Sequence, residues 1–503
     1  MGVTAVGTGR EGARRVLEAA LVLAIVATFV TVGWTSPGYD DEFYNVMAIA
    51  RTNGLADLAR HILAVDVHPP GSYLANAVLF DLTGSWAAVR ALTGAVLAAS
   101  LVPFLRAATA GRPGLFVPVA IVVGLHPTLA MWGPSLRWTG PFTALLLTAL
   151  TLILRDPARP ALFWGVLAAL LAAMAHVNYE TLLFGPALLG LAVHVRCDRL
   201  GAEWRTAAAA LAVAVAACLP LALAAAPTLL GRRGGQTGTI LASLAGAGQG
   251  FLVNAGLFPL SAAGLANVAA VAGLGGLVLA GGWRKLSREP LAMFWLGATA
   301  LLIVTGLAAK PRNATPLIPV LFALLVILPL EGPRRRLAAG LLVVLTACQG
   351  LGLAHVLLHL DTAKGSWNLP VPAVLEAVRE RARTCPGRLH VAVHDVVLAN
   401  LLAAEPGLSI ASPYTTPTGG AAAGDCLVAL ATFRGSLGRP RLAAMLASLP
   451  ATPVAETRFG PDPHAAIKRR FDPDVPDVAV RLLDFGSLAE PVDLAPWQRR
   501  GPP

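Results

Sequence analysis

The sequence predicts an α-helical polytopic membrane protein that carries a small α/β domain at its C-terminal end. Of its 503 residues, 56% are hydrophobic and only 13% are charged, whereas a soluble domain has about twice that charged fraction. Apolar runs recur through the first 358 residues, and most of them are long enough to cross about 30 Å of hydrocarbon as a helix. After that point the pattern changes to an amphipathic helix and short buried strands.

Eleven spans are predicted, at 16–34, 86–105, 113–131, 139–154, 160–176, 180–195, 206–226, 259–281, 290–308, 314–331 and 337–358. If the N-terminus is cytoplasmic, every cytoplasmic loop carries at least two basic residues, as Arg106 and Arg112 illustrate. The positive-inside rule therefore predicts this orientation. It places the 35–85 loop, the turns at 132–138 and 309–313, and everything after 359 outside.

Two domains follow from this organisation: a transmembrane domain over 1–358 and an extracytoplasmic α/β domain over 359–503 with a Pro-rich tail. In the second domain we expect helices near 371–384, 396–404 and 439–449, and strands near 388–394, 426–432 and 477–484. Cys385 and Cys426 both lie there, in a compartment predicted to be oxidising. Whether they form a disulfide is left open.

Acidic residues concentrate in the first outer loop, where six of the fourteen acids before position 361 lie between Asp40 and Asp81. The apolar residues of this loop fall at near-helical spacing, which predicts helices along the membrane surface. Pro69 and Pro70 are expected to break the second of these helices. A solvated loop could carry such acids, but acids beside a membrane are functional candidates by default.

Several basic residues fall at the outer face, where the topology rule does not explain them. Arg137 lies at the head of one span, and Lys310 and Arg312 lie at the head of another. Snorkelling to lipid phosphates is one explanation. A site role is the other, because the guanidinium group offers a planar fork of donors that matches a pair of phosphate oxygens.

Carboxylates and phosphate-binding arginines at one membrane face suggest transfer of a sugar from a polyprenyl phosphate. A carboxylate can take the proton of the acceptor, and fixed cations can stabilise the phosphate that leaves. The net charge of +11 does not indicate nucleic-acid binding, because the arginines sit in short loops rather than in a basic stripe interleaved with aromatics.

The same residues make the chain resemble the GT-C glycosyltransferases, in the branch of the protein O-mannosyltransferases and lipid A aminoarabinose transferases (glycosyltransferase family 39-like). Four blocks match in order: Asp-Glu-Phe-Tyr at 41–44, Asp-Val-His-Pro-Pro at 66–70 followed by Tyr73, Arg90 at the head of the next span, and Ser-Leu-Arg-Trp at 135–138 with Arg312 before Pro316. The likeness covers about residues 16–358.

The resemblance implies roles for individual residues. Asp41 would be the base that deprotonates the acceptor, with Glu42 beside it. The donor phosphate would be held by Arg137, Arg312 and Lys310, and the substrates would be bound by Asp66, His68, Tyr73, Tyr44 and Tyr179. His68 could instead bond Asp66 and shape the loop. No cofactor is required, although Asp41, Glu42 and Asp66 could hold a divalent cation.

The predicted function is therefore an inverting transfer of a sugar from a polyprenyl-phosphate donor to a lipid, glycan or protein acceptor. It would take place at the periplasmic face of a bacterial inner membrane. A transporter or flippase for a lipid-linked sugar is the alternative, although transporters usually place polar residues at mid-membrane depth. A family member whose C-terminal domain acts as a scaffold is a third reading.

Overall fold

The computed structural model describes residues 5–35, 40–50, 52–65, 68–112, 114–231, 262–281, 286–305, 311–358, 370–403, 405–412, 419–432, 447–449, 452–460 and 480–498. The chain divides into two compact units, which we call the first unit (Met1–Ser36 and Ala48–Leu360) and the second unit (Pro37–Met47 and Asp361–Pro503). The sequence places Pro37–Met47 with the transmembrane domain instead, and its bounds of 1–358 and 359–503 stay a prediction.

The first unit is a bundle of apolar helices. Those that correspond to the predicted spans are α1 (Ala5–Thr35), α5 (Trp86–Ala108), α6 (Phe116–Gly124), α7 (Pro127–Trp132), α8 (Thr139–Arg155), α9 (Pro160–Val177), α10 (Thr181–Val195), α11 (Leu200–Gly231), α12 (Ala262–Ala280), α13 (Pro290–Val304), α14 (Ile318–Leu330), which follows a 3₁₀ helix (Pro311–Leu317), and α15 (Arg335–Leu358). Among the described residues, five helices are long and apolar enough by length and composition to cross a membrane, and five further apolar helices are shorter. The predicted helical membrane architecture is confirmed.

The predicted span at 113–131 is not one helix, which corrects the sequence analysis. It consists of α6 and α7, and the chain breaks between them at Leu125 and His126. Pro127 has no N–H to donate and therefore starts a new helix rather than continuing the old one. His126 caps α7, since its Nδ1 accepts a hydrogen bond from the Thr128 N–H at 3.2 Å.

The helices α1 and α5 pack closely against each other. A Cβ on Gly33 would lie 2.7 Å from the Arg90 carbonyl oxygen, and one on Gly94 would lie 2.5 Å from the Phe29 carbonyl oxygen. Only glycine permits the two backbones to approach this closely, as in many membrane helix pairs. The buried rings of Phe29, Phe104 and Phe142 fill the core around this contact.

The 35–85 loop, which the sequence predicts to lie outside, contains the helices α2 (Asp40–Ala50), α3 (Leu55–Val65) and α4 (Gly71–Thr83). Its helical character was predicted, and the second helix ends before Pro69 and Pro70 as expected. The sequence analysis did not foresee α4, which starts directly after these prolines and buries Tyr73 and Asn76. The helix α4 packs against α5 and against the end of α9, so the loop is largely structured.

The C-terminal part of the second unit is a five-stranded sheet of order β2-β1-β3-β5-β4. The strands are β1 (Leu389–Val393), β2 (Leu408–Ala411), β3 (Cys426–Thr432), β4 (Ala455–Phe459) and β5 (Val480–Ser487). The first two pairs, β1 with β2 and β1 with β3, are parallel, and β5 runs antiparallel to β3 and β4. Each face of the sheet packs its own apolar core. The small α/β domain is confirmed.

The predicted elements of this domain match the structure unevenly. The helix α16 (Val371–Thr384) and the strand β3 have the predicted bounds, and the helix α17 (Val396–Ala403) lies close to them. The sequence analysis missed β2, β4 and the short helix α18 (Ala495–Gln498). Most of the predicted helix at 439–449 lies outside the described residues.

The disulfide that the sequence left open is present in the structure. Cys385 follows α16 and is bonded to Cys426, the first residue of β3, with their Cα atoms 6.0 Å apart. The bond therefore ties the amphipathic helix to the central strand of the sheet. The remaining cysteines, Cys197, Cys218 and Cys348, are free thiols in the first unit.

Candidate active site

Arg137 lies in the short segment between α7 and α8, and its side chain is buried, with the residue 6% exposed. The segment turns tightly: a Cβ on Gly140 would overlap the Gly133 carbonyl oxygen. Glycine at this position therefore lets the start of α8 fold back against the end of α7. Between these two glycines, Ser135 and Leu136 are buried as well, so the backbone that carries Arg137 is packed into the bundle.

His68 of the Asp-Val-His-Pro-Pro block at 66–70 and Tyr73, which follows this block, contact the Arg137 guanidinium. Its Nη1 donates a hydrogen bond to the Tyr73 hydroxyl oxygen at 2.6 Å, and its Nη2 lies 3.4 Å from His68 Nδ1. The guanidinium carbon also lies over the Tyr73 ring, 5.9 Å from its centroid. Because a guanidinium can only donate, His68 Nδ1 is the acceptor atom of this contact.

Trp138, the residue after Arg137, stacks on His68, with ring centroids 6.3 Å apart and an interplanar angle of 23°. Its edge-to-face contact with Phe142, at 5.8 Å, links this pair to the core of the bundle. Of the sequence-predicted site residues, the described contacts therefore join His68, Tyr73 and Arg137. We call these three residues together with Trp138 the Arg137 cluster.

The helix α4 positions Tyr73 for this contact. One turn after Tyr73, the buried Asn76 side chain donates a hydrogen bond from Nδ2 to the Leu136 carbonyl oxygen at 2.6 Å. At the start of the helix, a Cβ on Gly71 would overlap the carbonyl oxygen of His176 at the end of α9. The sequence analysis missed Asn76, and its signal was a polar residue on the face that α4 buries.

The structure describes only some of the acidic residues in the 35–85 loop. Glu42 lies in α2 and is buried, with 1% of its surface exposed. The backbone of Asp41 and Tyr44 belongs to the same helix, and their side chains lie outside the described residues. Asp66 also lies outside them.

The predicted phosphate ligands Lys310 and Arg312 are also described only in part. The backbone of Arg312 lies in the 3₁₀ helix before α14, which packs against α8. The Arg312 side chain and the whole of Lys310 lie outside the described residues. Tyr179 is half-buried in the turn between α9 and α10, next to buried Glu180.

Within the part of the chain that the structure describes, no group of three or more His, Cys, Asp or Glu side chains could hold a metal ion. The side chains of Asp41 and Asp66 were not part of that set. The cation site predicted at Asp41, Glu42 and Asp66 therefore stays a prediction.

A bundle of apolar helices that includes five candidate membrane spans among the described residues, a helical loop at 35–85 and a small α/β domain after the last apolar helix together define the class of protein. Solved structures of ArnT from Cupriavidus metallidurans, which has the GT-C fold, share this architecture. The structure of ArnT bound to undecaprenyl phosphate matches with a TM-score of 0.53 and 13% identity over 93% of this chain and 97% of that chain. The apo structure matches with a TM-score of 0.54 and 12% identity over 96% and 98%.

At this level of identity the likeness establishes the fold, which is the GT-C fold expected from the sequence. No family model matches the chain, and no curated protein matches it. The residue roles must therefore be argued from the site itself.

Proposed function

We propose that this protein transfers a sugar from a polyprenyl-phosphate donor to a hydroxyl or amine of a lipid, glycan or protein acceptor. The reaction is an inverting direct displacement at the periplasmic face of a bacterial inner membrane. The observation that carries the proposal is the buried Arg137 guanidinium, which Tyr73 and His68 orient in a fold shared with a protein bound to undecaprenyl phosphate.

Arg137 suits the role of a donor-phosphate ligand. A buried guanidinium interacts with an anion far more strongly than an exposed one, because little water screens the charge. The contacts with Tyr73 and His68 fix the plane of the guanidinium, which lowers the entropy lost when a phosphate binds. Arg312 and Lys310 are proposed as the other two cations that hold the phosphate.

In the chemical step, the Asp41 carboxylate takes the proton of the acceptor. The acceptor oxygen or nitrogen then attacks the anomeric carbon, and the bond from that carbon to the phosphate oxygen breaks. The electron pair of this bond stays on the polyprenyl phosphate, whose new negative charge is stabilised by Arg137 and Arg312. The proton on Asp41 leaves to water or to the departing phosphate, which restores the base.

The remaining residues position the two substrates. Glu42 stands next to the base, and Asp66, His68, Tyr73, Tyr44 and Tyr179 are proposed to line the substrate site. A divalent cation held by Asp41, Glu42 and Asp66 is compatible with this scheme, which needs no cofactor. The C-terminal domain over 359–503 is proposed to be extracytoplasmic, since it follows the last span of a chain whose N-terminus is proposed to be cytoplasmic.

The first experiment replaces the proposed base by Asp41→Asn. Because general base catalysis contributes about 10²–10⁴-fold, we expect turnover of a polyprenyl-phosphate sugar to fall by about that factor while the donor still binds. Mass spectrometry of lipids that copurify with the variant should then detect an intact polyprenyl phosphate that carries its sugar, and the mass identifies the sugar class.

Asp81→Asn is the matched control, since Asp81 is an exposed acid at the end of α4 and we expect it to turn over donor as the wild type does. Wild-type turnover in Asp41→Asn would remove Asp41 from the role of base. Translocation of a lipid-linked sugar without any sugar transfer, in wild type and variant alike, would replace the enzyme by the transporter alternative.

A further inference from the structure

A second polar site lies far along the helices from the Arg137 cluster, where α1 begins and α5 ends. A cavity of about 210 Å³ there is lined by two arginines, one glutamate, one threonine, one glycine and one phenylalanine: Arg14, Arg106, Glu18, Thr109, Gly111 and Phe116. We call it the α1–α5 pocket. All of its lining residues belong to the first unit, and the proposed reaction uses none of them.

The charges of the α1–α5 pocket leave one positive charge unbalanced. Arg14 Nε pairs with Glu18 Oε1 at 2.8 Å, one helical turn away on the same face of α1. Arg106 has no carboxylate at ion-pair distance within the described residues; its guanidinium carbon lies over the Phe116 ring, 5.8 Å from the centroid. A guanidinium over a ring face keeps its in-plane N–H groups directed outward, where they can bind a singly charged anion.

The pocket lies at the ends of two candidate membrane spans. The candidate span in α1 starts at Glu11, and the candidate span in α5 ends at Ala108. Arg14 and Arg106 therefore lie within one turn of the same end of two spans. Next to Glu18, the side chains of Val16 and Leu17 are 71% and 52% exposed, so an apolar surface continues from the pocket toward the hydrocarbon.

We propose that the α1–α5 pocket binds the phosphate of an anionic phospholipid headgroup, with its acyl chains along the exposed apolar face of α1. Basic pockets between helix ends at a membrane surface recognise such headgroups. Arg106 is the main phosphate ligand, and Arg14 is the second one. Glu18 weakens binding, because it neutralises Arg14 and repels the phosphate.

The test uses the full chain in nanodiscs of phosphatidylcholine. Phosphatidylglycerol is titrated into these nanodiscs, and native mass spectrometry counts the lipid molecules that stay bound to the protein. Arg106→Gln should weaken phosphatidylglycerol binding about fivefold, the factor that corresponds to about 1 kcal/mol for one basic residue near an anionic surface. Glu18→Gln should tighten it by a similar factor. The opposite signs separate a phosphate site from loss of folding, because a damaged protein does not bind more lipid.

Arg159→Gln is the matched control: Arg159 is an exposed arginine directly before α9, at the face that the sequence assigns to Arg106. Unchanged binding in this variant supports the α1–α5 pocket as a specific site. Equal losses in Arg106→Gln and Arg159→Gln would overturn it, since general surface charge then explains the binding. Failure of Glu18→Gln to tighten binding also overturns it.

Inorganic phosphate distinguishes a lipid from a free anion. If phosphate alone, in detergent without phospholipid, stabilises the wild type but not Arg106→Gln and displaces phosphatidylglycerol, the site is one for free phosphate and the lipid assignment is wrong. If phosphatidylglycerol binds and phosphate does not compete, the lipid assignment holds. Neither result depends on sugar transfer, so the outcome is independent of the proposed function.

Discussion

Among the residues that the structure describes, two arginines at helix ends of the first unit are buried, Arg137 and Arg196. Arg196, between α10 and α11, has a side chain with no exposed surface. Its Nη1 bonds both Glu203 carboxylate oxygens at 2.9 and 2.8 Å, and its Nη2 pairs with Asp156 Oδ1 at 2.7 Å. Arg137 contacts the Tyr73 hydroxyl and the His68 ring.

The difference shows two uses of one side chain. Around Arg196 the carboxylates neutralise the charge on the spot, and the Phe163 ring, 3.9 Å from the guanidinium carbon, closes the site. The network connects the ends of α8, α9, α10 and α11, since Trp164 Nε1 also donates to Glu203 Oε2 at 2.9 Å. The Tyr73 and His68 contacts orient the Arg137 guanidinium within the proposed active site. We therefore expect Arg196 to affect stability and Arg137 to affect activity.

The largest effect is expected from Arg196→Met. The substitution leaves Glu203 buried without its partner, which typically costs about 3–5 kcal/mol when one member of a buried pair is removed. The measurement is the unfolding free energy in detergent, together with the specific activity of the folded fraction, which should be unchanged.

Arg199→Met is its control, because Arg199 also pairs with Asp156, at 3.0 Å, but is 53% exposed. Exposed pairs contribute at most about 1 kcal/mol, so this variant should be nearly as stable as the wild type. Equal stability of Arg196→Met and Arg199→Met would mean that the buried network does not hold the helices together.

Arg137→Met should show the opposite result, a loss of activity without a loss of stability. Removal of one preorganised group that stabilises charge in a transition state typically lowers kcat by about 10²–10³, and we expect a loss of that size with the protein still folded. Arg137→Lys keeps the charge but not the planar fork, so it should recover only part of the activity. A folded Arg137→Met with wild-type kcat would end the assignment of Arg137 to the donor phosphate.

The two arginines also show what the sequence could predict. Arg137 was recognised because it lies at the face that the sequence predicts to be the outer one, where the topology rule does not require a basic residue. Arg196 was interpreted as a topology signal, and its structural role was missed. Its partner Asp156 lies 40 residues earlier in the chain, and the two come together only when α8 and α10 pack. An arginine in a loop between two spans can be a topology signal or a member of a buried ion pair, and the sequence alone does not distinguish the two.

The secondary structure also shows that the sequence does not predict features that depend on residues far apart in the chain. Long apolar runs predicted the helices, and the apolar strand β3 was predicted with its bounds. The strand β4 was missed because its sequence, Ala-Glu-Thr-Arg-Phe, is exposed and charged and lies at the edge of the sheet. Such a strand depends on pairing with β5 rather than on its own apolar pattern. The contact from Asn76 to Leu136 was missed for a similar reason, since it joins segments 60 residues apart.

The arginine–carboxylate site on the edge strand β4 should give the smallest effect. Glu456 Oε1 accepts hydrogen bonds from Arg481 Nε at 2.8 Å and from Arg458 Nε at 2.6 Å. These bonds, that of Arg481 first, lower the pKa of Glu456 from 4.5 to about 2. A carboxylate whose pKa is lower in the folded state stabilises the fold above its unfolded pKa, and the contribution is lost as pH falls from 4.5 toward about 2.

Glu456→Gln should therefore lower the unfolding free energy slightly near neutral pH, because exposed pairs contribute little. The difference from the wild type should shrink as the pH falls through the range between 4.5 and about 2, where the wild-type carboxylate becomes protonated. Glu490→Gln, an exposed glutamate after β5, is the control and should show no such convergence. A difference that stays constant down to the lowest pH would mean that the side chain of Glu456, and not its charge, stabilises the β4–β5 edge.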